Sequence, residues 1–264
     1  MLNALTRAVS ASLADCELTH LARTPIDVPR ARAQHQAYEE LLRELDVRVA
    51  QLPALDNQPD AVFVEDTALV LDEVLVPARM GAPSRAGEVF SVAEQLAFHR
   101  KVLSLPPGGT LEGGDVIRVG KKLFVGLTRR TNQAGIDGLR TILMPYGYEV
   151  IAVRVMGCLH LKSGASYLGR NMMLMNSSWV DARAFKGYEL VEVPSNERGG
   201  ANVLAINSTL ILPSAFPTTR RLLERKGFNT RTVELSELLK AEAGVTCESI
   251  LFESDKAGPT KGLR

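Results

Sequence analysis

The sequence predicts an α/β fold: a ring of five ββαβ modules with pseudo-fivefold symmetry, closed by strands from the two ends of the chain. Three observations predict it. A strand–strand–helix–strand order recurs four times at a period of about 45 residues, the mark of a repeat architecture. The segments left over at the two termini supply the parts of a fifth module. A chain of 264 residues, 45% hydrophobic and 23% charged, also has enough apolar side chains for a large core.

The first module starts at Ala61. AVFVEDTALVL and VLVPA read as strands, residues 84–99 as a helix and KVLSL as the closing strand. In the second, GDVIRVG and KLFVGL pair across Gly120 and Lys121, a helix covers 131–146 and YEVIAVRV closes the unit. The third consists of LHLKSGASYL, NMMLMN, a helical stretch near 180–186 and YELVEVP. The fourth consists of ANVLAIN, LILPS, a helix over 217–226 and TRTVEL. The helices rest on i, i+3, i+4 apolar spacing, as at Leu139, Ile142, Leu143 and Tyr146, and on stop signals such as Gly147 and Gly227. The strands rest on short β-branched runs bounded by Gly, Asn or Pro.

The fifth module is split between the termini. Its parts are a strand over 246–252, a strand over 3–9, an amphipathic helix over 30–45 and a strand over 47–52. Ala37, Tyr38, Leu41, Leu42 and Leu45 share one face of that helix. A ring joined in this way has no terminal unit that needs a cap. The alternative is an ordinary mixed α/β sheet of irregular order. Residues 1–252 form one domain in this reading, and the polar 253–264, ESDKAGPTKGLR, form a loose tail.

Composition excludes several classes of function. With 31 basic and 30 acidic residues, a net charge of +1, no basic run and no aromatic stacking motif, no nucleic-acid partner is expected. No apolar run approaches the roughly 18 residues of a membrane span, so no membrane is expected either. Cys16, Cys158 and Cys247 have no paired spacing, which argues against a disulfide framework or thiolate zinc site and for a reducing compartment. The start, MLNALTRAVSASLADC, has Arg7 and no acid before Asp15, a faint likeness to a transit peptide, but it has no apolar h-region and begins with strand residues. The expected location is cytoplasmic. The GG of LEGGD is too short for a phosphate loop and precedes a strand, so no nucleotide is expected, nor any other cofactor or metal. The oligomeric state is left open, a homodimer included.

The repeat gathers chemistry. Glu65 and Asp66, then Glu112, His160, Asn202 and Cys247 stand at the start of the first strand of successive modules, at intervals of 42 to 48 residues. In a ring the same position of each module faces the same axis, so these side chains would meet in one central pocket. Each has a plain reading as well. Cys247 in GVTCESILF is a small buried apolar residue, His160 in CLHLK a core histidine, Glu112 in TLEGGD a turn carboxylate and Asp66 in FVED a turn cap. Burying a thiol among carboxylates is costly unless something offsets it, and a cationic substrate would. The carboxylates are expected to raise the pKa of Cys247 and of His160.

Taken together, NQPDAVFVEDTALV, GAPSRAGE, TLEGGDV, LFVGLTRRTNQAG, LHLKSG, ANVLAIN and GVTC resemble the pattern of the dimethylarginine dimethylaminohydrolases. These belong to the guanidino-group-modifying superfamily, whose fold is a five-bladed α/β propeller. The likeness runs over about residues 5–252. It implies hydrolysis of Nω-methylated arginine to citrulline and a methylamine through a covalent S-alkylthiouronium. It assigns Cys247 as nucleophile, His160 as proton-transfer residue and Glu112 and Asp66 as the guanidinium-binding acids. Asp60, Glu65, Arg85, Arg130 and the backbone of Leu18 match positions that hold the amino-acid end and the mobile lid. Arg85 and Arg130 suit an α-carboxylate, which a guanidinium fork binds in two parallel hydrogen bonds. Arg129 competes with Arg130, and only the motif RTN favours the latter.

The departures from the pattern are few. Relatives can carry Asp at the position of Glu112, and Met80 replaces a more familiar proline. The acid two after the histidine in the HLD of arginine deiminases is here Lys162. Without that acceptor an unsubstituted guanidinium would keep an unpaired donor, so the resemblance points to methylated arginine. The alternatives are an arginine deiminase or another amidine hydrolase, and a non-catalytic arginine-binding ring. Binding a cation needs neither Cys247 nor His160, which counts against the last. A zinc site at Cys247 and His160 lacks further ligand spacing, and a cysteine protease lacks its nucleophile signature and an oxyanion hole.

Overall fold

The computed structural model describes residues 1–254. From residue 255 on, the expected tail lies outside the described residues. Its first two positions are part of the sheet structure: Glu253 pairs with Leu2, and Ser254 N–H donates to Met1 O at 3.0 Å.

The chain opens with β1 (Leu2–Arg7), α1 (Val28–Glu44) and β2 (Arg48–Leu52). A first full module follows: β3 (Ala68–Val70), β4 (Val74–Pro77), α2 (Val89–Ala97) and β5 (Lys101–Val102). The second has β6 (Val116–Val119), β7 (Lys122–Leu127), α3 (Gln133–Leu143) and β8 (Glu149–Arg154). A single turn, α4 (Leu161–Gly164), leads into β9 (Ala165–Gly169), β10 (Met172–Met175) and β11 (Glu189–Glu192). Then come β12 (Leu204–Ile206), β13 (Thr209–Pro213), α5 (Pro217–Arg225), β14 (Asn229–Val233), the short α6 (Ser236–Leu239) and β15 (Ile250–Glu253).

Among the described residues these strands make five separate three-stranded sheets, none of them closed on itself. All five have one pattern. The first strand is antiparallel to the second, and the second is parallel to the third, as in β6–β7–β8. The split sheet keeps it: β15 runs antiparallel to β1, and β1 runs parallel to β2. The two ends of the chain therefore supply one unit.

The apolar residues fall into clusters that each join two consecutive modules. Leu71 and Val74 pack with Leu123 and Leu139, Phe124 and Val153 with Met173 and Phe185, and Leu168 and Leu174 with Leu210 and Leu223. Ile206 and Ile211 pack with Ala4 and Tyr38, and Leu5 and Ile250 pack with Leu75 and Leu96. The fourth module thus meets the fifth, and the fifth meets the first.

The structure corrects the expected elements in a systematic way. The strand expected over 61–71 is only β3, because Val64–Thr67 is a 3-10 turn in which Thr67 Oγ1 donates to Val64 O at 2.7 Å. Similarly, 246–252 is a turn followed by β15. Polar side chains and glycines make local hydrogen bonds and turns that compete with strand pairing, a tendency a β-branched run does not reveal. The helix over 84–99 divides into a 3-10 stretch, Pro83–Glu88, and α2, and the first part turns Arg85 and Glu88 inward. The helical stretch of the third module is only the 3-10 turn Ala182–Phe185.

Candidate active site

The candidate residues sit on the turns that lead into the first strands, not in the strands. Asp66 lies within Val64–Thr67. Glu112 precedes the turn Gly113–Asp115 in extended backbone (φ −113°, ψ 143°), and His160 precedes α4 in the same way (φ −129°, ψ 162°). Asn202 follows Arg198–Ala201, and Cys247 lies in the turn before β15. The turns are tied to one another. Glu65 N–H donates to Cys247 O (3.2 Å), Thr246 N–H to Asn202 Oδ1 (3.2 Å), Asn202 Nδ2 to Lys162 O (3.0 Å) and Leu161 N–H to Asp115 Oδ1 (2.9 Å). The two glycines of LEGGD permit the approach: a Cβ on Gly113 would lie 2.0 Å from Glu65 O, and one on Gly114 would lie 2.5 Å from Asp66 Oδ1 and 2.9 Å from the His160 ring.

Asp66, Glu112, His160 and Cys247 are all buried. His160 Nε2 is 2.7 Å from Glu112 Oε2, and its Nδ1 is 3.6 Å from Asp66 Oδ1. Gly81 N–H donates to the other Glu112 oxygen at 2.9 Å. Burial pulls the His160 pKa down, but Asp66, Asp115 and Glu112 outweigh it and raise it to about 9. The three acids thus favour the imidazolium, a ready proton donor. The Cys247 thiol moves up as expected, but the largest cause is burial, with Glu65 and Asp66 adding to it. Gly244 N–H points at its sulfur, 3.3 Å away.

Cys247 and His160 line one small cavity with Asp60, Asp66, Arg85 and Arg130, and Glu17 and Glu242 lie at its wall. Three buried atoms of the residues described here have no hydrogen-bond partner: the acceptors Asp66 Oδ1 and Glu242 Oε2, and the donor Arg130 Nη1, which lies 3.6 Å from Glu112 Oε1. Asp66, Glu112 and His160 each bring one ligand atom within 4.8 Å of the others. The two carboxylates of this trio can attract a planar guanidinium, whereas a metal ion would need His160 neutral. A larger, more apolar cavity of about 500 Å³ adjoins this one at Leu159, Glu242 and Ala243, without Cys247 or His160 in its wall.

The remaining candidates are placed unequally. Arg130 is buried and Arg129 exposed. Arg85 is buried too, but its donors are engaged: Nη1 with Asp66 Oδ2 (2.7 Å), Nε and Nη2 with Glu88, and Nη2 also with Asp60 O and Phe63 O. It holds Asp66 in place, whereas Arg130 Nη1 makes no hydrogen bond and only a 3.6 Å ion pair with Glu112 Oε1. Asp60 accepts from Glu17 N–H at 3.0 Å, so it anchors the loop that carries Leu18, which is half-buried against the core.

Glu65 is not in the small cavity. Successive residues of a 3-10 turn point about 120° apart, so Glu65 and its neighbour Asp66 face different ways. Glu65 accepts from Lys162 Nζ and Thr246 Oγ1, both at 2.7 Å, and lines a separate cavity of about 450 Å³. Sequence reasoning missed Asp115, which accepts from Thr128 Oγ1 and Leu161 N–H and which burial raises to about 6. It also missed Glu88, Glu242 and the partnership of Lys162 with Glu65. The acid of GGD was the one available signal for Asp115.

The family model described as N,N dimethylarginine dimethylhydrolase, eukaryotic, matches residues 22–182. An N(G),N(G)-dimethylarginine dimethylaminohydrolase of Pseudomonas aeruginosa is 34% identical over 251 residues, 94% of this chain and 98% of the relative. The solved structure of a mutant of the Pseudomonas aeruginosa enzyme complexed with citrulline has a TM-score of 0.89 at 33% identity, over 95% of this chain and 98% of that one. A dimethylarginine dimethylaminohydrolase adduct with S-methyl-L-thiocitrulline has a TM-score of 0.89 at 34% identity, over 95% of this chain and 99% of that one. With sequence and fold alike over nearly the whole length of both partners, the chain belongs to the dimethylarginine dimethylaminohydrolase family.

Proposed function

We propose that this chain hydrolyses Nω-methylated arginine to citrulline and a methylamine, with Cys247 as nucleophile, His160 as acid and then base, and Asp66 and Glu112 as acceptors for the guanidinium. The observation that carries the reading is that one cavity with the thiol holds Asp66 Oδ1 and Arg130 Nη1, neither of them hydrogen-bonded and each 3.6 Å from an opposite charge, His160 and Glu112 respectively. An arginine-like zwitterion offers an N–H to the one and an anion to the other.

A guanidinium is a poor electrophile, so holding its central carbon against Cys247 Sγ removes much of the barrier. The arriving cation favours thiolate, and the thiol gives its proton to solvent, since His160 is already protonated. The thiolate adds to that carbon, His160 gives its proton to the departing amine, and the C–N bond breaks to leave an S-alkylthiouronium. Neutral His160 then takes a proton from water, which attacks the same carbon. The C–S bond breaks, the thiolate leaves and citrulline is released. In support, the relatives include one structure with citrulline and one adduct with S-methyl-L-thiocitrulline.

The same reading takes residues 1–252 as one domain whose modules close into a five-bladed α/β propeller. Two features support it. The apolar clusters link each module to the next, including the fourth to the fifth and the fifth to the first. The 450 Å³ cavity is lined by the first strands of all five sheets, through Leu69, Ile117, Tyr167, Leu204 and Leu251. We place the enzyme in the cytoplasm acting on a free small molecule; sedimentation distinguishes a monomer from a homodimer.

The test is citrulline release from asymmetric dimethylarginine, monomethylarginine and arginine, with Cys247→Ser as the blank. Citrulline from the methylated substrates that disappears in the blank is the expected result. No citrulline from the unaltered protein would overturn the proposal.

A further inference from the structure

Asp115 ends the turn Gly113–Asp115 and is fully buried, yet it does not line the cavity of Cys247. Its carboxylate instead joins two walls of that cavity from behind. Oδ1 accepts from the N–H of Leu161, the residue after His160, at 2.9 Å. Oδ2 accepts from Thr128 Oγ1, just beyond β7, at 2.8 Å. Arg130 N–H and Thr131 N–H in turn both donate to Thr128 Oγ1, each at 3.0 Å. A glycine in β7 leaves the room: a Cβ on Gly126 would lie 2.6 Å from Asp115 Oδ1 and 2.9 Å from Leu161 Cβ.

The donors around Asp115 demand a carboxylate. A hydroxyl has one proton and two lone pairs. Both lone pairs of Thr128 are taken by N–H groups, so its proton needs an acceptor, and Leu161 N–H needs another on the same side chain. An asparagine has a single oxygen, and its amide would turn a donor towards one of these two donors. Thr131, whose Oγ1 accepts from Glu112 N–H at 3.1 Å, also stabilises the charge of Asp115. One buried carboxylate is thus the common anchor of the segments that carry His160, Arg130 and Glu112. It also acts on His160 as a charge, together with Asp66 and Glu112.

We propose that Asp115 is a positioning residue for both ends of the reaction: through Leu161 it fixes His160 against the departing amine, and through Thr128 it fixes Arg130 against the α-carboxylate of the substrate. Resting on the function proposed above for what the two ends meet, this gives one residue outside the cavity control of both turnover and binding. Losing the anchor acts on kcat at His160 and on KM at Arg130. The two connections are separate, and Thr128 belongs to the second alone, so the two effects can be taken apart.

The experiment compares the full-length protein with Asp115→Asn, Thr128→Val and Thr128→Ser on two substrates. One is dimethylarginine; the other is its analogue with hydrogen in place of the α-carboxylate. Asp115→Asn is expected to lower kcat about ten- to a hundredfold on both, the cost of a reacting group displaced by about 1 Å. Its KM should rise about tenfold for dimethylarginine, the scale of a weakened charge-assisted hydrogen bond, and stay the same for the analogue. The high-pH arm of its rate should move to lower pH, because one of the three acids acting on His160 is gone. Thr128→Val should show the rise in KM with kcat little changed, and Thr128→Ser, which keeps the hydroxyl, should match the unaltered enzyme. An Asn variant whose kcat and high-pH arm are unchanged overturns the tie to His160. An unchanged KM for dimethylarginine in Asp115→Asn and Thr128→Val, or an equal rise in the Val and Ser variants, overturns the tie to Arg130. Should the unaltered protein hydrolyse neither substrate, the function is refuted, and amide hydrogen exchange decides the anchor. Leu161, Arg130 and Thr131 should exchange faster in Asp115→Asn, and unchanged exchange there overturns it. If Asp115→Asn does not fold, Asp115→Glu, which keeps the charge and shifts the acceptors, carries the His160 comparison, and Thr128→Val carries that for Arg130.

Discussion

His160 Nε2 and Glu112 Oε2 lie 2.7 Å apart with both side chains buried, and each moves the other's titration: Glu112 raises the imidazolium's pKa, and His160 lowers the carboxylate's. Substituting Glu112→Gln removes one of three acids that keep His160 protonated. The pH–rate profile of citrulline formation should then lose its high-pH arm earlier, about one unit or more below that of the unaltered enzyme, because the ring deprotonates sooner. At neutral pH the ring stays mostly protonated in the variant, so this cause alone should lower kcat by less than about tenfold there, and the loss should grow as pH rises. A profile whose high-pH arm stays near pH 9 would remove Glu112 from this role.

The thiol should be a poor nucleophile until the site is filled. Burial pushes Cys247 up, and Glu65 and Asp66 push it further. A small amidine or guanidinium beside Asp66 contributes the opposite charge. We expect slow alkylation of Cys247 in the free enzyme and faster alkylation with such a ligand bound, followed by mass spectrometry across pH 6 to 9. Equal rates with and without the ligand would mean that the acids do not govern the thiol.

Gly114 sets the spacing of the acids and the imidazole. A methyl group there meets Asp66 Oδ1 at 2.5 Å and the His160 ring at 2.9 Å, so one of them must move. Overpacking of this kind costs about 1–3 kcal/mol in stability, which a large core tolerates. Displacing a reacting group by about 1 Å costs on the order of a hundredfold in rate. Gly114→Ala is therefore expected to fold, to melt a few degrees lower, and to lose far more activity than stability. Near-normal kcat in a folded Gly114→Ala protein would refute this.

Substrate choice should follow from Lys162. At the position of the deiminases' second acid this chain carries a lysine, and its Nζ is bound to Glu65 at 2.7 Å. The pair lines the separate 450 Å³ cavity, so position 162 offers the Cys247 cavity no acceptor, and an N–H of an unsubstituted guanidinium left unpaired there costs about 1–3 kcal/mol. Dimethylarginine should exceed arginine by at least about tenfold in kcat/KM, measured as citrulline release. Comparable values for the two would show that an acceptor exists elsewhere.

Much of this was legible in the chain because repetition is. Modules of constant length carry the same position to the same place, so Asp66, Glu112, His160 and Cys247 could be grouped before any contact was known. What the period does not carry is direction. Glu65 and Asp66 are adjacent and equally acidic, yet the 3-10 turn sends one to Lys162 and the other to His160. Arg85 and Arg130 look alike in sequence, and only their neighbours show that one is fully engaged and the other has a donor left over. Glu242 and Glu248 matched no position of the repeat. Their partners, residues 19–21 and His35, are more than two hundred positions away, and only folding brings them together.

His35 supports the last prediction, one about stability. It lies on α1, buried, with Nδ1 2.6 Å from Glu248 Oε2 and Nε2 3.5 Å from Glu39 Oε1. Beside it, Tyr38 Oη is 2.7 Å from Ser249 Oγ, so the helix grips the two residues that follow Cys247. Burial pulls the His35 pKa down, but Glu248 and Glu39 outweigh it and raise it to about 9. Against burial, His35 and Thr6 hold Glu39 down to about 2, and Arg43, 3.2 Å away, adds to this. A histidine near 6.5 when unfolded and near 9 when folded stabilises the protein fully below pH 6.5 and loses that contribution as pH rises through 9. The amount is on the order of 3 kcal/mol for so buried a group. Melting temperature should therefore fall between pH 6.5 and 9.5. His160 shares this dependence, so the comparison that isolates His35 is His35→Gln, whose curve should be flatter by several degrees over the same range. Parallel curves for the two proteins would mean that His35 is not charged in the folded state, and that the clasp behind Cys247 is held by neutral hydrogen bonds alone.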